Sequence, residues 1–103
     1  MGKLWHKKYF QNKEVEESDL HKAAEQVRTD LIIVEGLIEQ NGLKKKRVYE
    51  IYSDIIIKTV DSYQKYLNEF EPDYVGLDIP IQRLYKKCQQ WIKENKLLKS
   101  VTN

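Results

Sequence analysis

Residues 20–38, LHKAAEQVRTDLIIVEGLI, decide the fold of this chain. Their apolar positions recur at alternating spacings of four and three residues, as one stripe of an α-helix requires. The stripe consists of Leu20, Ala24, Val27, Leu31, Val34 and Ile38. The pattern predicts a helix from about Asp19 to Gln40. Ser18 before it is able to cap a helix, and Asn41-Gly42 after it tolerates the left-handed conformation that often follows a helix end.

Two further segments repeat this spacing. The second predicted helix runs from Lys44 to Phe70 and stops at Pro72. Its apolar stripe comprises Val48, Tyr52, Ile55, Thr59, Tyr63, Tyr66 and Phe70, flanked by Ile51, Ile56 and Leu67. The third predicted helix follows Asp78 as its cap, has Pro80 in its first turn and ends near Lys99. Its buried face is marked by Ile81, Leu84, Cys88 and Trp91, with Tyr85 and Ile92 beside them.

Two β-branched runs, 31–34 and 55–57, have the composition of strands. Each run lies inside a longer segment with helical spacing, and no hairpin turn separates strand-like pieces of equal length, so the periodicity favours helices. The sequence therefore predicts an all-α protein. Long helices joined by short connections pack as an antiparallel, up-down-up bundle of three helices, or of four if the second helix is broken.

Composition is consistent with one domain over residues 1–103. Hydrophobic residues make up 41% and charged residues 33%, which is enough apolar material for a core under a highly charged surface. The net charge of +2 does not by itself indicate nucleic acid or membrane. A single cysteine, together with the lack of a secretory signal or a spanning segment in the sequence, favours a reducing, cytoplasmic location.

An N-terminal arm, residues 1–17, combines basic and aromatic side chains. Lys3, Lys7 and Lys8 alternate with aromatic residues, which are Trp5, Tyr9 and Phe10. Two interpretations stay open. The arm either folds back over the bundle, or it contacts a membrane surface, a nucleic acid or a protein groove.

The bundle would also separate the charges. One end would collect Lys44, Lys45, Lys46 and Arg47 together with Lys93, Lys96 and Lys99, and the other end would be acidic. Cations at the start of the second helix oppose the dipole of that helix. They indicate either an anionic partner or a solvated turn in which they favour the end of the preceding helix.

The sequence contains no convincing catalytic, metal-binding or nucleotide-binding motif. His6 and His21 have no ligand spacing around them, and the four glycines form no phosphate-binding loop. Glu50, Asp54 and Lys58 are spaced as a surface ion-pair ladder. Cys88 lies on a buried stripe and is interpreted as a small core residue. We expect no enzyme activity, no cofactor and no metal.

The chain resembles the helical immunity proteins of class IIa (pediocin-like) bacteriocin producers. The resemblance rests on Met1-Gly2-Lys3-Leu4-Trp5, on the stretch from Asp30 to Ile38 that leads into Leu43-Lys44-Lys45, and on the helix opened by Leu77-Asp78. It implies a cytoplasmic protein of four antiparallel helices. It also implies protection of the producer by engagement of the toxin-occupied sugar-transporter receptor, largely through the C-terminal part.

These observations predict a non-catalytic helical protein that binds a protein partner, as an immunity or regulatory protein does. The alternative is a small phage- or plasmid-type nucleic-acid-binding protein that uses the basic end and the arm. The candidate binding residues are Lys44, Lys45, Lys46, Arg47, Lys93, Lys96, Trp5, Lys7, Lys8 and Tyr9. The second helix is longer than the first, which leaves room for a dimer contact at its end.

Overall fold

The computed structural model describes the backbone of residues 2–40, 45–74 and 76–102, and side chains within these ranges as far as Asn95. These residues form four α-helices and no strand: α1 (Lys3–Tyr9), α2 (Glu17–Gln40), α3 (Lys45–Phe70) and α4 (Ile79–Thr102). The all-α prediction is confirmed. The fourth helix is α1, which lies in the N-terminal arm. It does not come from a break in the second predicted helix, because α3 is continuous.

The helix ends follow from local chemistry, with small shifts from the predicted bounds. Helix α2 begins at Glu17, so Ser18 lies inside its first turn, and the Glu16 carbonyl accepts the backbone N–H of Leu20 at 2.9 Å. Glu17 and Asp19 place negative charge where the helix dipole favours it. Asn41, Gly42 and Lys44 lie outside the described residues.

Helix α4 begins directly after Asp78, as predicted. The Asp78 carbonyl accepts the N–H of Gln82 at 2.9 Å, and Pro80 occupies the first turn, where a missing N–H costs little. The Asp78 carboxylate is not used as a cap. It accepts hydrogen bonds from Tyr74 Oη at 2.6 Å and from Arg28 Nε at 2.7 Å.

The α2–α3 pair forms the middle of the molecule. Helix α4 packs against both members of the pair, and its Leu84 and Cys88 are fully buried. Among the described residues, three ion pairs join α2 to α4 or to Asp78 directly before it, and their residue numbers rise together along the chain: Arg28–Asp78, Glu35–Arg83 and Glu39–Lys87. Helix α1 lies against α2 and α3, where Trp5 is completely buried.

The buried face of α3 differs from the predicted stripe in its first half. Tyr49, Ser53, Ile56 and Val60 are buried there. Tyr52 and Ile55, which were predicted to be in or beside the core, are 52% and 46% exposed, so that prediction was wrong. The reason is that α3 is apolar on two sides in this segment, and periodicity alone does not say which side meets α4. In the second half of α3 and in α4, the predicted core residues Tyr63, Tyr66, Ile81 and Leu84 are buried.

Candidate functional site

The predicted basic end is partly neutralised by one carboxylate. Lys45 of α3 lies 2.9 Å from Glu39 of α2, and Lys87 of α4 binds the other oxygen of the same carboxylate. These two hydrogen bonds, that of Lys87 first, lower the pKa of Glu39 from 4.5 to about 2. Glu39 therefore stays charged and joins three helices at this end.

Two neighbouring cations differ from Lys45. Lys46 and Arg47 are exposed, and neither forms an ion pair within the described part of the chain. Lys93 is also exposed. Lys44 and the side chain of Lys96 lie outside the described residues. Lys46, Arg47 and Lys93 are thus free within the described part of the chain to meet an anionic group.

The N-terminal arm folds back over the bundle. Trp5 Nε1 donates a hydrogen bond to Ser62 Oγ at 2.8 Å, and the Trp5 ring lies 5.7 Å from that of Tyr66. Trp5 is 0% exposed, so in this structure it is a core residue and is not available to a partner. Of the two interpretations that the sequence left open, folding back over the bundle is therefore the one that α1 follows.

The other arm residues are divided between the interior and solvent. Lys7 is exposed and Lys8 is half-buried. Tyr9 is half-buried, and its hydroxyl is enclosed without a hydrogen-bond partner among the described residues. Burial, followed by the charge of Glu69, raises the pKa of Tyr9. The arm consequently presents a basic surface to solvent, while its tryptophan faces the core.

The arm and the basic end do not form a single site. Trp5 binds Ser62, whereas Lys46 lies in the first turn of the same helix. Sixteen residues separate Ser62 from Lys46, which corresponds to roughly 24 Å along an α-helix. A partner that contacts both would have to span most of the length of α3.

An apolar groove runs between α2 and α3 beside the basic end. Its floor and walls are Val34, Leu37, Ile38, Val48, Tyr52, Ile55 and Ile56. It continues past Val34 and Ile55 to Val27 and Thr59, one turn before the Ser62 that binds Trp5. Helix α1 thus covers one end of this groove, and the other end is open.

The open end of the groove is bordered by large exposed side chains. Ile33 and Leu37 of α2 are 52% and 56% exposed, and Ile51 of α3 is 54% exposed. Together with Tyr52 and Ile55 they form an apolar surface, here called the α2–α3 face. Contiguous exposed apolar patches of this kind mark interaction sites more often than isolated exposed residues do. The sequence pattern places Tyr52 and Ile55 on a buried stripe and Ile51 beside it, whereas Ile33 and Leu37 lie outside the predicted stripe of the first helix.

A second, polar cleft lies where α2 begins and α3 ends. It is lined by His21, Ala24, Glu25, Arg28, Tyr63, Tyr66, Leu67, Glu71 and Tyr74. His21 Nδ1 is 2.5 Å from Tyr66 Oη, and Arg28 is held by Asp78. His21 and Arg28 thus already have hydrogen-bond partners. Among the described residues, no group of three or more His, Cys, Asp or Glu side chains is arranged to hold a metal ion.

The arrangement of Cys88 fits the interpretation made from the sequence. Its side chain is fully buried, and burial raises the pKa of the thiol, an effect that the hydroxyl of Ser53 partly offsets. A neutral, enclosed thiol is a poor nucleophile. Cys88 therefore packs as a core residue.

Comparisons with known proteins found no match to a protein-family model, to a curated protein or to a solved structure. Within the described residues, no helix is both long and apolar enough to cross a bilayer.

Proposed function

We propose that this protein is a non-catalytic, cytoplasmic protein-binding module that acts through the α2–α3 face. One observation carries the proposal: five large apolar side chains of two adjacent helices, each about half exposed, lie together around an open groove. Covering such a surface gains free energy in proportion to the apolar area removed from water. The phosphate backbone of a nucleic acid cannot cover apolar side chains in this way, which favours a protein as the partner.

The scaffold that we propose is an antiparallel bundle of α2, α3 and α4. The order of the ion pairs between α2 and α4 supports it, as does the contact of Glu39, at the end of α2, with Lys45, at the start of α3. His21, near the start of α2, meets Tyr66, near the end of α3. Such a scaffold holds the face rigid and thus limits the entropy lost on binding.

A matched pair of variants tests the proposal. Leu37→Glu places a charge on the α2–α3 face at a residue that is 56% exposed, whereas Ile79→Glu places one at the start of α4 on an apolar residue that is 67% exposed. Wild-type, L37E and I79E proteins would be used as baits in lysates of the source cells. We expect a specific protein to be retained by wild type and I79E and lost by L37E. A set of bound proteins identical for all three baits would contradict the proposal.

The resemblance to bacteriocin immunity proteins supports a more specific role within this class. If the chain has that role, its expression in a strain sensitive to a class IIa bacteriocin would protect the strain. The L37E variant would protect the strain less than the I79E variant does. Unchanged sensitivity to a panel of such bacteriocins would remove the immunity role and leave the binding module untouched.

Nucleic-acid binding is the second candidate function, because Lys46 and Arg47 are exposed without an acidic partner among the described residues. It predicts weak binding of DNA or RNA that declines steeply with salt, since the affinity would come from phosphate contacts. The double variant Lys46→Glu, Arg47→Glu would abolish this binding, whereas L37E would not. Absence of a gel shift at low salt would exclude this function.

A further inference from the structure

The middle segments of α2 and α3 are apolar on two opposite sides. In α3, Tyr49 and Ile56 face the core and are buried, whereas Ile51 and Ile55 are about half exposed. In α2, Leu31 is buried and Ile33 is 52% exposed. A helix that is apolar all round is normally covered on every side. Helix α4 supplies one cover, and α1 supplies part of the other.

We infer that a second copy of this chain covers the open part of the α2–α3 face, so that the protein is a symmetric dimer. The inference rests on the proposed function, because it names the partner of the same face. It also moves the dimer contact from the end of the second predicted helix, where the sequence left room for it, to the first half of α3 and the second half of α2.

The width of the exposed surface favours a copy of the chain over a single helix of another protein. A single helix lying in the groove would cover Val34, Tyr52 and Ile55, which line it. Ile33 and Ile51 do not line the groove, yet both are more than half exposed. They lie on the outer shoulders of the two helices, and a two-helix layer is needed to cover them as well.

The face offers both a ridge and a groove, as a surface that packs against its own copy requires. Ile51 and Ile55 form a ridge one turn apart on α3, and the groove between the two helices lies beside that ridge. Helices pack by fitting ridges into grooves, and a two-fold axis lets each copy offer its ridge to the groove of the other. Twofold contacts of this kind are the commonest in soluble oligomers.

The available area is adequate for such a dimer. Five large side chains at about half exposure leave on the order of 500 Å² of apolar surface, at the upper end of what a typical monomer exposes. With the polar rim added, the face approaches the roughly 800 Å² per partner of a standard interface.

The charges around the face suit a copy of the chain better than a partner whose charges are all of one sign. The α2 edge carries Asp30, while the α3 edge carries Arg47, Asp54 and Lys58, of which Asp54 and Lys58 form an ion pair at 3.0 Å. Acidic and basic groups are therefore both present. A two-fold arrangement can pair opposite charges across the rim, whereas a strongly acidic or basic partner would meet like charges.

Sedimentation equilibrium and light scattering on the purified full chain test the inference, over a wide range of concentration up to the millimolar. We expect twice the chain mass of 12.3 kDa. Leu37→Glu and Ile55→Glu should each raise the dimer dissociation constant on the order of thirtyfold or more, as at interface hot spots. Because both side chains are about half exposed, the variants should keep the far-ultraviolet circular dichroism of the wild type.

Ile79→Glu is the matched control, since it introduces the same charge at an exposed apolar residue outside the face. It should leave the dissociation constant unchanged. A wild-type protein of 12.3 kDa at every concentration would overturn the inference, as would a dimer that L37E and I55E do not weaken. The lysate experiment separates the two proposals. If the wild type is monomeric and L37E no longer retains a protein partner, the proposed function stands and the dimer is excluded. If the wild type is monomeric and all three baits retain the same proteins, both proposals are excluded.

Discussion

At the scale of single residues, Trp5 holds the N-terminal arm in place. Its ring is enclosed, and its indole N–H donates to Ser62, whose hydroxyl in turn donates to the Thr59 carbonyl at 2.6 Å. This chain of hydrogen bonds satisfies a polar group that would otherwise be costly to bury. A seven-residue helix is too short to be stable alone, so the packing of Trp5 is what makes α1 form.

Two substitutions in α1 should differ in their effect on stability. Trp5→Ala should lower the free energy of unfolding by about 3–5 kcal/mol, because it leaves a cavity and removes the partner of Ser62. Tyr9→Phe should leave it unchanged or raise it by about 1 kcal/mol, because the Tyr9 hydroxyl is enclosed without a partner among the described residues. Urea unfolding at a fixed protein concentration measures both. Equal losses in the two variants would contradict this account of α1.

The carboxylate of Glu39 makes stability depend on pH in the acidic range. Hydrogen bonds from Lys87 and Lys45 lower its pKa to about 2, against 4.5 for the free group. Since the folded protein holds the ionised form, the contribution of Glu39 is complete above pH 4.5 and is lost as the pH falls towards 2.

A carbon-detected NMR titration should therefore give Glu39 a pKa near 2 in the native protein. Lys87→Met removes the hydrogen bond that contributes most to the lowered pKa of Glu39, so this pKa should rise towards 4.5. Lys58→Met, which removes the ion pair of Asp54 instead, serves as the control and should leave Glu39 unchanged. An ordinary pKa for Glu39 in the wild type would disprove the shared contact.

At the scale of helices, the β-branched runs 31–34 and 55–57 have a common explanation. Each run contains residues that face the core and residues that face the open groove, such as buried Ile56 next to exposed Ile55. Runs of consecutive apolar residues occur because both sides of these helices carry apolar surface. The helical period predicted the helices correctly, but it could not divide the apolar residues between two sides.

Two glycines should respond oppositely to alanine. A methyl group at Gly36, inside α2, would meet no atom within 4 Å, so Gly36→Ala should raise the free energy of unfolding by about 0.5–1 kcal/mol through helix propensity. Gly76 has a φ of 82°, which alanine adopts only with strain, and Gly76→Ala should lower the free energy by about 1 kcal/mol. Thermal unfolding would show a rise of roughly 2–8 °C for Gly36→Ala and a fall for Gly76→Ala. A fall in both would show that Gly36 is needed for close packing.

At the scale of the whole molecule, the polar and apolar surfaces have separate places. Ion pairs fasten α4 to α2 on one side of the α2–α3 pair, and the N-terminal arm covers part of the other side. Glu35 shows that the core side of α2 is not purely apolar. It is buried on the core side of α2, and Arg83 compensates its charge at 3.0 Å. The α2–α3 face, with Lys46 and Arg47 at its end, stays exposed to solvent.

Cys88 reports on opening of the whole bundle. It is fully buried, and its thiol has a raised pKa, so a thiol reagent should modify it only when the core opens. The labelling rate should increase with urea in parallel with the unfolded fraction, and it should be much faster in Trp5→Ala than in the wild type. Rapid labelling of the native wild type would show that the core opens locally around α4.

The sequence by itself determined helices α2, α3 and α4 and most of the core, whereas the helix α1 in the N-terminal arm was not predicted. Local periodicity, the acids that begin α2 and Asp78-Pro80 at the start of α4 suffice for this, because helix formation depends on residues a few positions apart. The tertiary structure alone decided three things: that Trp5 is in the core, that Lys45 and Lys87 share Glu39, and that Tyr52 and Ile55 are exposed. Each depends on which residues distant in sequence become neighbours, and a helical stripe does not carry that information once a helix is apolar on two sides.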